Sequence, residues 1–220
     1  MKNKNKKLAD VKWIFFDLDG TLADTIPALY GVYLDFLKKF EKKGAKKEFT
    51  ILSGPSLPEI IAKLKSKYNL KYEEGALLKI YQELISFSYT SIRPSANAGA
   101  VLQKLNKLNY KLMLVTSADR DIAMKFISNQ GWQKYFHNYV LGNEVKNSKP
   151  NPAIYNLALE KAGVAPDEAV AIEDSPNGVL SAKRAGSLVI GLAEIETKNT
   201  LLEAGADIVV SGLKDILPFF

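Results

Sequence analysis

The chain has 220 residues, 47% of them hydrophobic and 25% charged, a composition typical of a globular protein with one large domain or two unequal ones. Its formal net charge of +6 is compatible with nucleic acid, an anionic membrane surface or small anions as partners. The absence of cysteine excludes disulfides, thiolate nucleophiles and cysteine-ligated metals, and no apolar run is long enough to cross a bilayer.

Lysine is concentrated in two stretches, residues 1–12 and residues 38–47. Neither has aromatic residues spaced for base stacking, so we interpret them as a solvated tail and a solvated helix end and expect no nucleic-acid partner. The basic N-terminus is not followed by the apolar segment of a signal peptide, so we expect a cytoplasmic protein without a membrane partner.

The first predicted strand is the apolar run Trp13–Phe16, which leads directly into Asp17, Asp19 and Gly20. Five more short runs of aliphatic and β-branched residues follow, at residues 110–117, 139–142, 169–174, 188–192 and 207–211. Runs of this kind are typical of parallel strands that are buried on both faces.

Helical patterns that end at Gly131, Gly163 and Gly186 separate the later strands. The regular alternation of strand and helix favours right-handed βαβ units. We therefore predict an α/β fold with an open, mostly parallel, Rossmann-like sheet flanked by helices. The single histidine, His137, is expected at the end of a helix, in a half-buried structural role.

One interval interrupts this alternation. Residues 24–92 contain amphipathic helical stretches and no convincing strand. We predict an α-helical cap domain, residues 24–92, inserted into a catalytic core formed by residues 1–23 and 93–220. Asp24 is expected to cap the first helix of the insertion.

Polar residues stand where three predicted strands end. They are Asp17 and Asp19 after the first strand, Thr116 and Ser117 after the second, and Glu173 and Asp174 after the run that begins at Ala169. A lysine, Lys149, lies in a loop just before a helix. In an open α/β sheet the ligand crevice lies beyond the carboxyl ends of the strands, so these side chains are expected to share one site.

The chemistry of this set indicates phosphoryl transfer. Clustered carboxylates repel one another unless a cation lies among them, and Mg²⁺ prefers carboxylate and carbonyl oxygens. Asp17 can attack phosphorus, and Asp19, two residues later, can donate a proton to the leaving oxygen and later accept one from water. Lys149 and the Thr116 hydroxyl can bind the phosphate oxygens.

Four segments carry a resemblance to a known family. The motifs "DLDGT", "LVTSA", "KPNP" and "IEDSPNG" resemble, in this order, the four motifs of the haloacid dehalogenase-like superfamily. The resemblance covers essentially the whole chain from Val11 onward, and each motif lies at a predicted strand end or loop.

The resemblance implies a role for each site residue. Asp17 would be the nucleophile and Asp19 the acid and base. The implied phosphate-binding residues are Thr116, Ser117 and Lys149. The implied magnesium ligands are Asp17, Asp174 and the backbone carbonyl of Asp19, with Glu173 acting mostly through a metal-bound water. The helical insertion resembles the family's small cap, a lid that closes over the substrate.

Asp19, which a dehalogenase would lack, favours the branches of the superfamily that carry out phosphoryl chemistry. Phosphoglycolate phosphatase-like hydrolases and beta-phosphoglucomutase-like mutases share the remaining motifs. Leu29 stands where such a mutase carries a histidine, and residues 51–59, which the resemblance implies to be the specificity loop, lack the mutase's arginine. We therefore expect an Mg²⁺-dependent phosphatase of a small phosphorylated metabolite, as a monomer or homodimer. A sugar phosphomutase and a non-catalytic binding protein on the same fold are the alternatives.

Overall fold

The computed structural model describes residues 8, 10–52, 55–89, 91–193 and 196–220. The predicted solvated tail falls mostly on residues 1–7, which lie outside the described residues. Within the described part of the chain, no helix is both long enough and apolar enough to span a membrane.

In the residues that the structure describes, six strands form one sheet in the order β3-β2-β1-β4-β5-β6, and every neighbouring pair is parallel. The strands are β1 (Trp13–Phe16), β2 (Lys111–Val115), β3 (Phe136–Val140), β4 (Ala169–Glu173), β5 (Leu188–Leu192) and β6 (Ile208–Val210). The predicted parallel sheet is thereby confirmed. Because β1 lies between β2 and β4, the strand order reverses there, which is where α/β sheets bind ligands.

Both faces of the sheet are buried under helices. Successive side chains of β1 point to opposite faces, so Ile14 and Phe16 join one hydrophobic cluster, whereas Trp13 and Phe15 join another. The first cluster contains residues of α5 (Ala98–Lys107) and α6 (Arg120–Asn129). The second contains residues of α7 (Ala153–Ala162), α8 (Pro176–Arg184) and α9 (Lys198–Glu203).

The described residues between β1 and α5 form four helices: α1 (Ile26–Lys38), α2 (Lys46–Ile51), α3 (Leu57–Tyr68) and α4 (Glu74–Ser88). They enclose a third hydrophobic cluster, in which Tyr33, Phe36 and Leu64 are completely buried. The expected helical insertion is therefore present. Its limits as an independent domain, residues 24–92, remain a prediction.

Several local expectations differ from the structure. Strand β3 begins at Phe136, three residues before the predicted start, so His137 lies in a strand and is exposed, and the expectation of a half-buried helix end is wrong. Its Nδ1 accepts a hydrogen bond from the Leu112 N–H at 3.3 Å. Thr25, and not Asp24, occupies the N-cap of α1. Helices α2 and α9 were not predicted, since six residues are too few to show a clear helical period.

Candidate active site

The carboxyl ends of β2, β1 and β4 bring the predicted site residues to one edge of the sheet. Asp17 directly follows β1, Thr116 follows β2, and Asp174 follows β4. The parallel ladder continues past β1, because the Asp17 N–H donates to the Ile172 carbonyl at 3.1 Å. The register between neighbouring strands thus decides that these side chains meet.

Lys149 is almost completely buried, with 3% of its side chain exposed, and pairs with two carboxylates. Its Nζ lies 2.6 Å from Asp17 Oδ1 and 2.6 Å from Glu173 Oε1. Burial opposes the ammonium charge, but Asp17 and Glu173 outweigh it, so the pKa of Lys149 is raised and the side chain stays charged. A buried charge held by two carboxylates and the Val115 carbonyl provides a fixed positive group at the site.

Tyr155 of α7 completes this buried network. Its hydroxyl donates to Glu173 Oε1 at 2.6 Å, and its ring centroid lies 5.3 Å from Lys149 Nζ. Tyr155 was not predicted from the sequence, because it occupies an apolar position of an ordinary amphipathic helix and belongs to no motif. We infer that it orients Glu173, which in turn positions Lys149.

Asp17, Glu173 and Asp174 form an acidic cluster in which one carboxylate oxygen of each lies within 4.8 Å of the others. The pKa of Asp17 is raised to about 7, because burial and the charges of Glu173 and Asp19 raise it by more than Lys149 lowers it. Burial and the neighbouring Asp17 and Glu173 also raise the pKa of Asp174 well above its ordinary value. Such mutual repulsion is relieved by a divalent cation.

The donor atoms fit a hard divalent cation, because all three are carboxylate oxygens. Beside these carboxylates, the loop after β1 has room for backbone atoms but not for a side chain at position 20. Gly20 has φ +79°, and a Cβ there would lie 2.0 Å from Asp174 Oδ2. Glycine is thus required here both by the left-handed backbone and by the approach of the Asp174 carboxylate.

Asp19 contacts the helical insertion. The hydroxyl of Tyr89, the residue after α4, donates a hydrogen bond to Asp19 Oδ1. Burial raises the pKa of Asp19, and the hydrogen bond from Tyr89 lowers it. Tyr89 was not singled out in the sequence, where it ends an amphipathic helix without any motif. The insertion therefore reaches the carboxylate that was predicted to be the acid and base.

A cavity of about 140 Å³ lies between this edge of the sheet and helices α1–α4. Six of the seven predicted site residues line it: Asp17, Asp19, Thr116, Ser117, Lys149 and Asp174. The seventh, Glu173, is completely buried and pairs with Lys149 and Tyr155 instead. Leu29, which stands at the position of the mutase histidine, also lines the cavity.

The sequence model of the haloacid dehalogenase-like hydrolases matches residues 14–192, which include all four motifs. The chain belongs to this family. The predicted resemblance is thereby confirmed. The parallel sheet with helices on both faces is the Rossmann-like fold that was predicted for this chain.

Relatives of this family member are named as phosphatases. A "phosphorylated carbohydrates phosphatase" of Thermotoga maritima is 29% identical over 216 residues, which cover 93% of this chain and 99% of the relative. The pyrophosphatase PpaX of Bacillus velezensis is 28% identical over 207 residues, 93% of this chain and 94% of the relative. The family and these relatives confirm the prediction that the chain is an enzyme, a phosphoric monoester hydrolase.

A solved structure extends the comparison to three dimensions. A Thermotoga maritima protein described as a candidate beta-phosphoglucomutase is 29% identical and superposes with a TM-score of 0.74. The match covers 94% of this chain and 97% of that protein. Both branches considered from the sequence are thus represented among proteins similar to this haloacid dehalogenase-like hydrolase.

Proposed function

We propose that this protein is an Mg²⁺-dependent phosphatase that hydrolyses a small phosphorylated metabolite through a phosphorylated Asp17. The observation that carries the proposal is the position of the Asp17 carboxylate, which faces the cavity and lies 2.6 Å from the buried Lys149 Nζ. A fixed cation beside a carboxylate nucleophile matches the charge that develops when a phosphoryl group is transferred.

The first half of the reaction forms a bond between a carboxylate oxygen of Asp17 and phosphorus, while the bond from phosphorus to the alcohol oxygen breaks. Asp19 gives its proton to that leaving oxygen. Lys149 and the hydroxyls of Thr116 and Ser117 bind the remaining phosphate oxygens. Asp17, Asp174 and the Asp19 carbonyl would hold Mg²⁺, which supplies positive charge that offsets the charge of the phosphate.

In the second half, water attacks the phosphorus of the acyl phosphate and transfers a proton to Asp19. Inorganic phosphate leaves, and Asp17 regains its carboxylate. Both halves use the same carboxylate as acid and then as base, so Asp19 must be held within reach of both oxygens. The complete set of groups for both halves distinguishes this proposal from a non-catalytic binding protein.

Residues 24–92 form, in this proposal, a cap that closes over the cavity and excludes bulk water. Two contacts support it, both between the insertion and the core. Ser148, next to Lys149, donates a hydrogen bond to Glu59 of α3, and Tyr89 contacts Asp19. Closure would thus be linked to both sides of the phosphate site. We further propose a cytoplasmic location and a monomer or homodimer.

Hydrolysis is distinguished from phosphoryl transfer to a second sugar by one experiment. With beta-glucose 1-phosphate and a trace of glucose 1,6-bisphosphate, we expect inorganic phosphate to be the phosphorus-containing product that accumulates, because Leu29 offers no base to a sugar hydroxyl. The products are followed by phosphate release and by a glucose 6-phosphate assay. Rapid formation of glucose 6-phosphate with little free phosphate would replace the phosphatase with the mutase.

The contact of Tyr89 with Asp19 leads to a second prediction. Tyr89→Phe removes the hydroxyl and keeps the ring, so we expect kcat to fall roughly 10- to 100-fold, the equivalent of a hydrogen bond to a charged group. The measurement is kcat at saturating substrate and Mg²⁺. Tyr81→Phe is the matched control, because Tyr81 lines the same cavity without a described contact to Asp19. Equal kcat values for the two variants would contradict the role of Tyr89.

A further inference from the structure

The two sides of the cavity differ in chemistry. The core side presents carboxylates, hydroxyls and Lys149, which bind the phosphate in the proposed function. The side formed by helices α1–α4 presents hydrocarbon and aromatic groups, among them Leu29, Phe49, Leu52, Ile60, Tyr81 and Ile85. With the phosphate at the core, as the proposed function requires, the rest of the substrate would lie against this apolar wall.

Positive charge is scarce around the substrate. Among the described residues that line the cavity, Lys149 is the sole cation, and its ammonium is already shared by Asp17 and Glu173. The other charged lining residues are aspartates, including Asp119. A second phosphate or a carboxylate on the substrate would therefore lie in a negative, partly desolvated site without a counter-ion.

Hydroxyl-rich substrates are also poorly matched. The lining residues from the insertion include two with a polar side-chain atom in the described part, Tyr81 and Tyr89, and the Tyr89 hydroxyl is directed to Asp19. The hydroxyls of a sugar would lose hydrogen bonds to water and gain few in return. An apolar group instead gains free energy from the same burial.

We propose that the preferred substrate is the phosphate monoester of a small, uncharged, apolar alcohol, of about the size of one aromatic ring. The inference rests on the proposed phosphatase function and specifies its substrate class. Phe49 and Tyr81 offer aromatic faces or edges to such a ring. The cavity of about 140 Å³ also includes the site proposed for the phosphate, so the apolar group beside it must be small, since benzene alone fills an apolar cavity of about 150 Å³. This preference differs from the carbohydrate phosphates named for the Thermotoga maritima relative.

The test compares three monoesters in which phosphate is attached to a primary carbon: benzyl phosphate, glucose 6-phosphate and phosphoglycolate. With Mg²⁺ present, we expect kcat/KM for benzyl phosphate to exceed both others by at least ~10-fold. The free energy of burying the two kinds of group differs, in favour of the ring, by more than about 1.4 kcal/mol, which corresponds to a factor of ten. A higher kcat/KM for either polar substrate overturns the inference.

A variant of the apolar wall tests the cause of the preference. Leu29 is half-buried, so Leu29→Lys is expected to fold, to lower kcat/KM for benzyl phosphate and to raise it for phosphoglycolate. Leu202→Lys is the matched control, because Leu202 is 41% exposed on α9 and does not line the cavity. Unchanged ratios in Leu29→Lys, with a normal thermal transition, overturn the inference.

Hydrolysis of 4-nitrophenyl phosphate distinguishes a wrong substrate class from a failure of the proposed phosphatase function. If this activated ester is hydrolysed while the polar substrates are preferred over benzyl phosphate, the phosphatase stands and the substrate class is wrong. If no phosphomonoester is hydrolysed, the proposed function fails, and the substrate class fails with it.

Discussion

Asp17→Asn is expected to lower kcat by ~10³-fold or more while the protein remains folded, because the amide keeps the shape of the side chain but is a poor nucleophile. The same change removes one of the two carboxylate partners of Lys149, whose ammonium keeps Glu173 and the Val115 carbonyl. The measurement is kcat with a hydrolysed monoester at saturating Mg²⁺, together with mass spectrometry of rapidly quenched enzyme. Phosphorylated Asp17 is expected in the unmodified protein and not in Asp17→Asn.

Asp35→Asn provides the matched control for this substitution. Asp35 is an exposed residue of α1 and does not line the cavity, so its amide variant is expected to retain normal turnover. If Asp17→Asn also retained near-normal kcat in a preparation free of deamidated protein, the nucleophile would have to be another residue and the proposed mechanism would fail.

Removal of divalent cations with EDTA is expected to abolish phosphate release, and Mg²⁺ is expected to restore it, whereas Ca²⁺ supports it poorly because its bonds are longer and its shell is looser. Asp174→Ala is expected to prevent the recovery, because Asp174 offers a buried carboxylate to the acidic cluster. Turnover is measured across a Mg²⁺ titration. Full activity in excess chelator would exclude the metal from the mechanism.

The stability of the metal-free protein gives a readout of the same cluster that does not depend on activity. An aspartate whose pKa is higher in the folded protein than in the unfolded chain binds more protons when folded, so its contribution to the free energy of unfolding falls as the pH rises. For Asp17 this contribution falls over the pH range from about 4, the ordinary pKa, to about 7, the pKa in the folded protein. The pKa of Asp174 is raised in the same direction.

Asp174→Asn removes one of these charges. In EDTA we expect its Tm to exceed that of the unmodified protein at pH 8 by at least about 2–4 °C, the shift for 1 kcal/mol in a chain of this size, and the difference to shrink at pH 5. Mg²⁺ is expected to raise Tm in the unmodified protein and in Asp35→Asn but not in Asp174→Asn. Identical pH dependence of Tm in all three proteins would contradict the raised pKa of Asp174.

The architecture could be predicted because the strands have a simple sequence pattern. Runs such as Trp13–Phe16 are apolar at every position, as parallel strands buried on both faces must be, and all four residues are buried. The helices between them end at glycine. Short or irregular elements were missed or displaced, namely α2, α9 and the start of β3, because a single turn or an exposed edge strand leaves little periodic signal.

The site could be predicted in composition but not in its contacts. Residues that follow parallel strands meet at one edge of the sheet, so Asp17, Thr116 and Asp174 were expected together, and they line one cavity. Tyr89 and Tyr155 could not be found in this way. Each belongs to an amphipathic stretch in which it resembles a core residue. Only the tertiary structure directs the two hydroxyls to Asp19 and Glu173, because α7 packs on the sheet and the residue after α4 reaches the core.

The sequence by itself determined the family, the strand-end acids and the chemistry they can perform, because these depend on residue types at local spacings. The tertiary structure alone decided what each neighbouring acid contacts. Glu173 and Asp174 are adjacent in sequence, but Glu173 shares a face of β4 with Ala169 and Ala171, which pack in the same cluster as Tyr155 of α7. Alternation along the strand therefore turns Glu173 toward Tyr155 and Lys149, whereas Asp174, beyond the strand end, faces the cavity.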